Sequence, residues 1–248
     1  MANFTPLNNY AIFILDKLIK KYDLRPPFLD VACGTGYLSA HMGDLGWWGN
    51  AIDYSRQAVE IAKSNLKRYQ NITVERTSLL KTNGRYKTVL MFDVLEHIKD
   101  DISALKKVFS LLEKDGHLII AGPSNPKEWR WDDEFYGHYR RYTEAELRKK
   151  LIEAELKPMV FYDYTFPIFW LLRRIYTKLK NKKRFLEDTE KRTKKSSFVY
   201  AWDMSLISII MNNASFLWSP IYIFQYFLFR KKTNYGSSIL VLAKKGKL

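Results

Sequence analysis

The sequence predicts an α/β fold: a mostly parallel sheet with helices on both faces, interrupted late in the chain by a helical insertion. Three observations predict it. Over the first two thirds, short apolar runs alternate with amphipathic helical patterns, the signature of strands and crossover helices. The first apolar run ends in a turn carrying Gly34 and Gly36, which leads straight into a helical pattern. With 248 residues, 47% of them hydrophobic, the chain can bury a full core, which excludes a disordered or fibrous protein.

In chain order, residues 28–32, 49–52, 72–75, 88–92 and 117–121 read as strands, short runs set between the helical patterns. Helical periodicity fills the intervals at 37–45, 55–68 and 101–112, and again at 144–155. Ser55 is placed to cap the second helix, and Thr143-x-x-Glu146 is a capping box opening the last. Residues 159–164 read as a further strand and 237–243 as a closing one. The whole chain, 1–248, is expected to be one domain, with 166–235 as a helical cap inserted within it.

That insertion has its own composition. Residues 167–179 are aromatic and basic, 180–195 form a charged hinge, and 204–229 run for 26 residues without a charge. Such a run raises the question of a membrane span. Asn212, Asn213, Ser215, Ser219, Pro220 and Gln225 fall along it, so it reads instead as two helices, near 203–211 and 220–230, joined by a turn. A lipid-facing cap and ordinary core packing are both compatible with this pattern.

Lys and Arg outnumber Asp and Glu by 41 to 26, a net charge of +15 that predicts an anionic partner. The excess is local: 173–195 hold eleven basic residues against three acidic ones. Cys33 is the one cysteine, so no disulfide can form within the chain and a reducing compartment fits best. The first residues lack the basic flank and apolar run of a signal peptide. A cytoplasmic protein is expected, peripheral on the inner face of the membrane where the cap meets lipid.

The chemistry begins at Phe28-Leu-Asp-Val-Ala-Cys-Gly-Thr-Gly36. Glycines after a strand let the backbone turn sharply and approach a ligand without a Cβ in the way. Asp53 closes the next strand, where a carboxylate can accept both hydroxyls of a ribose, so the pattern predicts an adenosine cofactor. A dinucleotide site wants a third glycine where Ser39 stands, and Asp30 would repel a pyrophosphate but attract a sulfonium and an amino group. S-adenosylmethionine is therefore favoured over NAD.

Four segments, in order and correctly spaced, carry a resemblance: Leu29-Asp-Val-Ala-Cys-Gly-Thr-Gly36, Ala51-Ile-Asp-Tyr-Ser55, Phe92-Asp-Val-Leu-Glu-His-Ile98 and Leu111-Leu-Glu-Lys-Asp-Gly-His-Leu118. Over about residues 10–165 and 236–245 the chain resembles the class I S-adenosylmethionine-dependent methyltransferases, including the ubiquinone-biosynthesis O-methyltransferases. The resemblance implies a Rossmann-like, seven-stranded sheet whose last strand is antiparallel. It implies that Asp30, Gly34 and Gly36 line the methionine and ribose portion of the cofactor. Asp53 would hold the ribose diol, Tyr54 would pack on the adenine, and Phe92 and Asp93 would flank the methionine end. Departures stand beside it. The acid usual near Thr77 is missing, leaving Ser78 to meet the adenine amine; Lys87 replaces an acid before the fourth strand; Ala32 replaces a frequent glycine, which the fold should tolerate.

A hydroxyl acceptor needs a base to take its proton, besides positioning and exclusion of water. The richest segment for this is Asp132-Asp-Glu-Phe-Tyr-Gly-His-Tyr-Arg-Arg-Tyr142. His138 is the preferred base, with anchoring of its loop as the alternative role; His97 is second, with helix capping as its alternative. Tyr136, Tyr139 and Tyr142 are expected to line an acceptor pocket or to pack together. Arg140 and Arg141 are expected to grip an anionic acceptor or to form a solvated pair. Asp132, Asp133 and Glu134 are consecutive and point apart, so no metal site is expected.

The fourth strand is followed by Phe92-Asp-Val-Leu-Glu rather than an Asn/Asp-Pro-Pro-Tyr motif, which disfavours methylation of nucleic-acid amines. Basic residues beside aromatic, apolar helices suit an anionic membrane surface through 167–232. The favoured reading is methyl transfer to a hydroxyl of a small lipophilic or lipid-linked acceptor. An RNA methyltransferase docking through 173–195, and a catalytically silent cofactor-binding partner protein, are the competing ones. Oligomeric state is not legible in the sequence.

Overall fold

A computed structural model describes residues 6–179 and 218–246. Among these, seven strands form one sheet in the order β3-β2-β1-β4-β5-β7-β6. The strands are β1 (Phe28–Val31), β2 (Gly49–Asp53), β3 (Ile72–Arg76), β4 (Tyr86–Phe92), β5 (Leu112–Pro123), β6 (Leu156–Asp163) and β7 (Ser238–Lys245). The first five pair in parallel, and β7 runs antiparallel between β5 and β6. The predicted fold class and strand sequence hold. β5 begins five residues before its apolar run, because Leu112 pairs with Tyr86 ahead of a register shift while the residues after it are polar.

The helices are α1 (Pro6–Tyr22), α2 (Tyr37–Asp44), α3 (Arg56–Leu66), α4 (Asp101–Leu111), α5 (Trp131–Tyr136), α6 (Glu144–Glu153), α7 (Ile168–Leu179) and α8 (Trp218–Phe229). Both predicted caps form. The Ser55 hydroxyl accepts from the Ala58 amide at 3.4 Å. Thr143 and Glu146 cap each other reciprocally, at 3.2 and 2.8 Å. α1 was not among the predicted elements, although Tyr10, Ala11, Ile14, Leu15 and Leu18 recur at helical spacing and are all buried.

Strand side chains alternate between two cores. Phe28, Leu90 and Ile119 face one, with α1, α2, α3 and the cap helices α7 and α8. Leu29, Val89 and Met91 face the other, covered by α4 and α6. α8 docks on α1 through rings: Tyr222 stacks on Tyr10 at 5.2 Å, and Tyr226 meets Phe13 edge-on at 5.8 Å. Phe169 of α7 stacks on Tyr10 at 5.7 Å. The predicted helix near 220–230 is thus present, and one face of it packs as core. The hinge at 180–195 and the helix near 203–211 lie outside the described residues. No helix among the described residues is long and apolar enough to cross a membrane.

Candidate active site

The carboxyl ends of β1, β2 and β4 gather the predicted cofactor residues at one edge of the sheet. Between β1 and α2 the backbone turns through three left-handed residues, Ala32 (φ 55°), Gly34 (φ 55°) and Gly36 (φ 81°). A Cβ on Gly36 would lie 3.0 Å from Leu66 Cδ1, so packing and backbone both require glycine there. Ala32 is accommodated as expected, although an L-residue in this region costs about 1–2 kcal/mol.

Asp53, at the end of β2, is buried and reaches back to that turn. Its Oδ2 accepts from the Gly34 amide at 3.0 Å and its Oδ1 from the Ser55 amide at 2.8 Å. Burial raises its carboxyl, and these amides partly restrain it. Each oxygen keeps a second lone pair with which to accept a ribose hydroxyl. Asp30 sits beneath the turn, accepting from the Ser39 hydroxyl at 2.6 Å. Burial pushes Asp30 up to about 7, against the Ser39 hydrogen bond and with help from the nearby Asp53 charge. Ser39, noted in the sequence only for not being glycine, is therefore the anchor of Asp30.

Tyr54 and Ser78, both half-buried, follow the paired ends of β2 and β3, where the Thr77 amide donates to the Asp53 carbonyl at 3.0 Å. Phe92 ends β4, and Asp93 follows with φ 52°, its amide donating to Ala121 at 2.8 Å. Asp93 remains open to solvent, yet protein surrounds it closely enough to raise its carboxyl.

The acceptor segment, read as a loop, contains the short helix α5, ended by Gly137 at φ 76°. That turn points His138 back at α5. His138 Nδ1 lies 2.8 Å from Asp133 Oδ1, and Nε2 lies on the other side, 3.9 Å from Glu96 Oε1. Asp133 is fully buried. It also accepts from Arg141 Nε at 2.8 Å, from the Arg130 amide at 2.8 Å, and from Arg173 of α7 at 3.0 Å. Burial alone would raise Asp133, but the His138 hydrogen bond and the Arg141 and Arg173 charges hold it down at about 2.

His97 meets His138 edge-on at 4.8 Å, and Tyr136 stacks on His138 at 6.0 Å. Burial and the neighbouring His138 push His97 down to about 3. Glu96 is buried, its carboxyl raised well above the usual range by burial and by Asp93, and its Oε1 has no hydrogen-bond partner among the described residues. Glu96, His97 and His138 offer ligand atoms within 4.8 Å of one another, a donor set able to take a divalent cation where no metal site was expected.

Other predicted acceptor residues are differently engaged. Tyr139 is exposed, its amide donating to the Glu96 carbonyl at 2.9 Å. Arg140 pairs with Asp101 at 2.7 Å and donates to the Lys99 carbonyl at 2.8 Å. Tyr142 is buried and donates to the same Asp101 at 2.7 Å. Arg141, also buried, donates to the Ser124 and Ser237 carbonyls as well as to Asp133. These three side chains hold the loop to the fold, because buried carboxylates and carbonyls claim their donors. Asp132 and Asp133 both pair with Arg173, and Arg174 pairs with Glu128, so two basic residues of the charged stretch face inward. Asp133 and Glu96 are what sequence reasoning missed: each stood in a quoted motif, without a local signal for its partner.

The family model of a methyltransferase domain matches residues 8–159, more than half of the chain. The chain belongs to this family. It carries a class I, S-adenosylmethionine-dependent methyltransferase domain, as its four motifs predict, with α7, α8 and β7 beyond the matched residues. The domain is 29% identical over 135 residues to a ubiquinone biosynthesis O-methyltransferase of Pelagibacter ubique, covering 48% of this chain and 56% of that one. It is also 30% identical over 125 residues to a ribosomal protein L11 methyltransferase of Thermotoga neapolitana, covering 50% and 46%. The chain thus spans about half the length of the curated relatives it matches, and those relatives differ in acceptor. In fold it is similar to geranyl diphosphate C-methyltransferase from Streptomyces coelicolor, with TM-score 0.61 at 13% identity, covering 96% of this chain and 77% of that one.

The methyltransferase domain suits its methyl donor: a turn with two glycines in the left-handed region, and the carboxylates of Asp30 and Asp53 beside it. The donor supplies a sulfonium-bound methyl; the spent cofactor has no such charge. If Asp30 faces the sulfonium, its ionisation sets the preference between the two. As pH falls from 8 to 6, Asp30 becomes neutral and the preference for S-adenosylmethionine over S-adenosylhomocysteine should shrink, by about tenfold at most. Calorimetric titration of both ligands at the two pH values checks this, and a constant ratio removes Asp30 from the sulfonium site.

Proposed function

We propose that the protein transfers a methyl group from S-adenosylmethionine to a hydroxyl of a small lipophilic or lipid-linked acceptor, with His138 as general base. The observation that carries this reading is the His138–Asp133 pair. A buried carboxylate on Nδ1 holds that nitrogen as the donor, which leaves the Nε2 lone pair to receive a proton on the side of Glu96. His97 is the poorer candidate, since a group pushed down to about 3 has little affinity for a hydroxyl proton near neutrality. Asp30, Gly34, Gly36, Asp53, Tyr54, Ser78, Phe92 and Asp93 form the cofactor side of this proposal. Tyr136 and Tyr139 form its acceptor side.

The outer faces of the cap support a lipophilic acceptor met at an anionic membrane surface. Leu171, Ile175 and Leu179 of α7 are 51%, 46% and 79% exposed, and Phe224, Phe227 and Leu228 of α8 are 49%, 63% and 59% exposed. Lys178, Lys231 and Lys232, all exposed, flank them. Exposed aromatic and branched side chains rimmed by lysine suit headgroup and acyl boundary together. The RNA reading loses Arg173 and Arg174, which spend their charge on internal acids.

The test supplies purified protein with methyl-labelled S-adenosylmethionine and either a total lipid extract or structured RNA, and floats it with anionic or neutral vesicles at low and high salt. Label in the organic phase and salt-sensitive flotation with anionic vesicles are expected. Label in RNA would replace this reading with the competing one. Cofactor binding without any labelled product would favour the silent partner protein.

A further inference from the structure

We infer that Arg173, on the cap helix α7, is a positioning residue for His138, acting through Asp133. The inference rests on His138 being the base, and it assigns to the cap a part in the chemistry besides covering the acceptor. α7 presents three faces. Leu171, Ile175 and Leu179 point outward, Phe169 packs on Tyr10, Arg173 and Thr177 turn toward α5, and Arg174 turns toward Glu128 in the turn before it.

The guanidinium of Arg173 is used on three residues at once. Its Nε and one terminal nitrogen fork onto Asp132 at 2.8 and 2.7 Å, and that same terminal nitrogen reaches Asp133 Oδ2 at 3.0 Å. The other terminal nitrogen donates to the Glu128 carbonyl at 3.0 Å. Asp133 in turn shares its Oδ1 between Arg141 and His138, while its Oδ2 takes Arg173 and the Arg130 amide. Arg141 is fixed by the carbonyls of Ser124 and Ser237, at the ends of β5 and β7, so its position belongs to the sheet. Arg173 arrives from the cap. The carboxylate is therefore oriented from two directions, with Arg141 on the oxygen that faces His138 and Arg173 of α7, beside the Arg130 amide, on the other.

The stereochemistry requires arginine. A lysine ammonium is one point charge and cannot fork onto Asp132 while reaching Asp133. A carboxylate this buried that loses one of its donors rotates or recruits water to replace it, and either change loosens the hydrogen bond that sets the His138 tautomer. Arg174, one residue on, makes the control: it binds α7 to Glu128 and lies over the Trp170 ring at 4.1 Å, without touching Asp133.

The experiment is long-range ¹H–¹⁵N correlation NMR on the full chain labelled at its four histidines, with His138→Gln used to assign the His138 signals. Wild type should show His138 protonated at Nδ1, with an unprotonated Nε2. Arg173→Met should convert it to a mixture of tautomers, and Arg173→Lys should do so partially; Arg174→Met should leave the spectrum unchanged. Should Arg173→Met not fold, Arg173→Lys carries the test. An unchanged His138 in a folded Arg173 variant overturns the inference, as does an equal change in Arg174→Met, which would mean that docking of α7 is all that matters. In the lipid-extract assay Arg173→Met should lower the maximal rate about tenfold, with half-saturation by S-adenosylmethionine within about twofold of wild type. The NMR result is independent of what reaction His138 serves. An active His138→Gln alongside the expected spectra would overturn the base, not the Arg173–Asp133–His138 linkage.

Discussion

Replacing Asp53 with alanine should abolish measurable binding of both S-adenosylmethionine and S-adenosylhomocysteine in a calorimetric titration that wild type saturates. Two losses combine. On the proposed reading the ribose diol loses its acceptor, and hydrogen bonds to a charged group are worth about 1.5–3 kcal/mol each. The glycine turn also loses its clamp, because the Gly34 and Ser55 amides are both held by this carboxylate. The sum corresponds to a weakening of at least about a hundredfold. Asp53→Asn should retain part of the affinity, since an amide oxygen can still accept from one amide. Circular dichroism separates a failure of binding from a failure to fold. A folded Asp53→Ala that binds both ligands as wild type does would remove Asp53 from the site, and failure of well-folded wild type to bind either would leave NAD as the next ligand to titrate.

His138→Gln should lower methyl transfer into lipid extract by about 10²–10⁴-fold, the usual worth of a positioned base, while S-adenosylmethionine still binds with wild-type affinity. The separation follows from geometry. His138 belongs to the loop after β5 and contacts Asp133, His97 and Tyr136, whereas Asp53 and the glycine turn that it holds lie at the ends of β1 and β2. His97→Gln should cost less than tenfold, because a histidine held neutral near its neighbour contributes shape more than basicity. Equal losses in the two variants would shift the base away from a single histidine and toward the cluster they form with Glu96.

Much of the cofactor half is legible in the sequence, because its signals are short in sequence. Gly34 and Gly36 announce a turn, Asp53 closes the next apolar run, and Ser55 and Thr143 announce helix starts; all of these lie where the sequence placed them. The acceptor half was legible as a segment but not in its roles. Its arginines and tyrosines looked alike from the sequence. The fold sends Arg140 and Tyr142 to Asp101, 39 and 41 residues away, and Arg141 to Ser237, 96 residues away. Asp132 and Asp133 find Arg173 across about 40 residues.

The amino-acid sequence by itself determined the α/β class, the strand order of β1 to β5 along the chain, the caps, and the glycine turn with the acid that closes β2. Those features arise from periodicity and from backbone preferences within a few residues. Tertiary structure decided that β7 inserts between β5 and β6, and that the cap helices pack aromatic rings on α1 while leaving another face exposed. It also decided which of two neighbouring arginines serves the histidine. A buried charge must find an opposite charge or a donor wherever the chain brings one within hydrogen-bonding distance, and that choice belongs to the packed fold and not to any local stretch of residues.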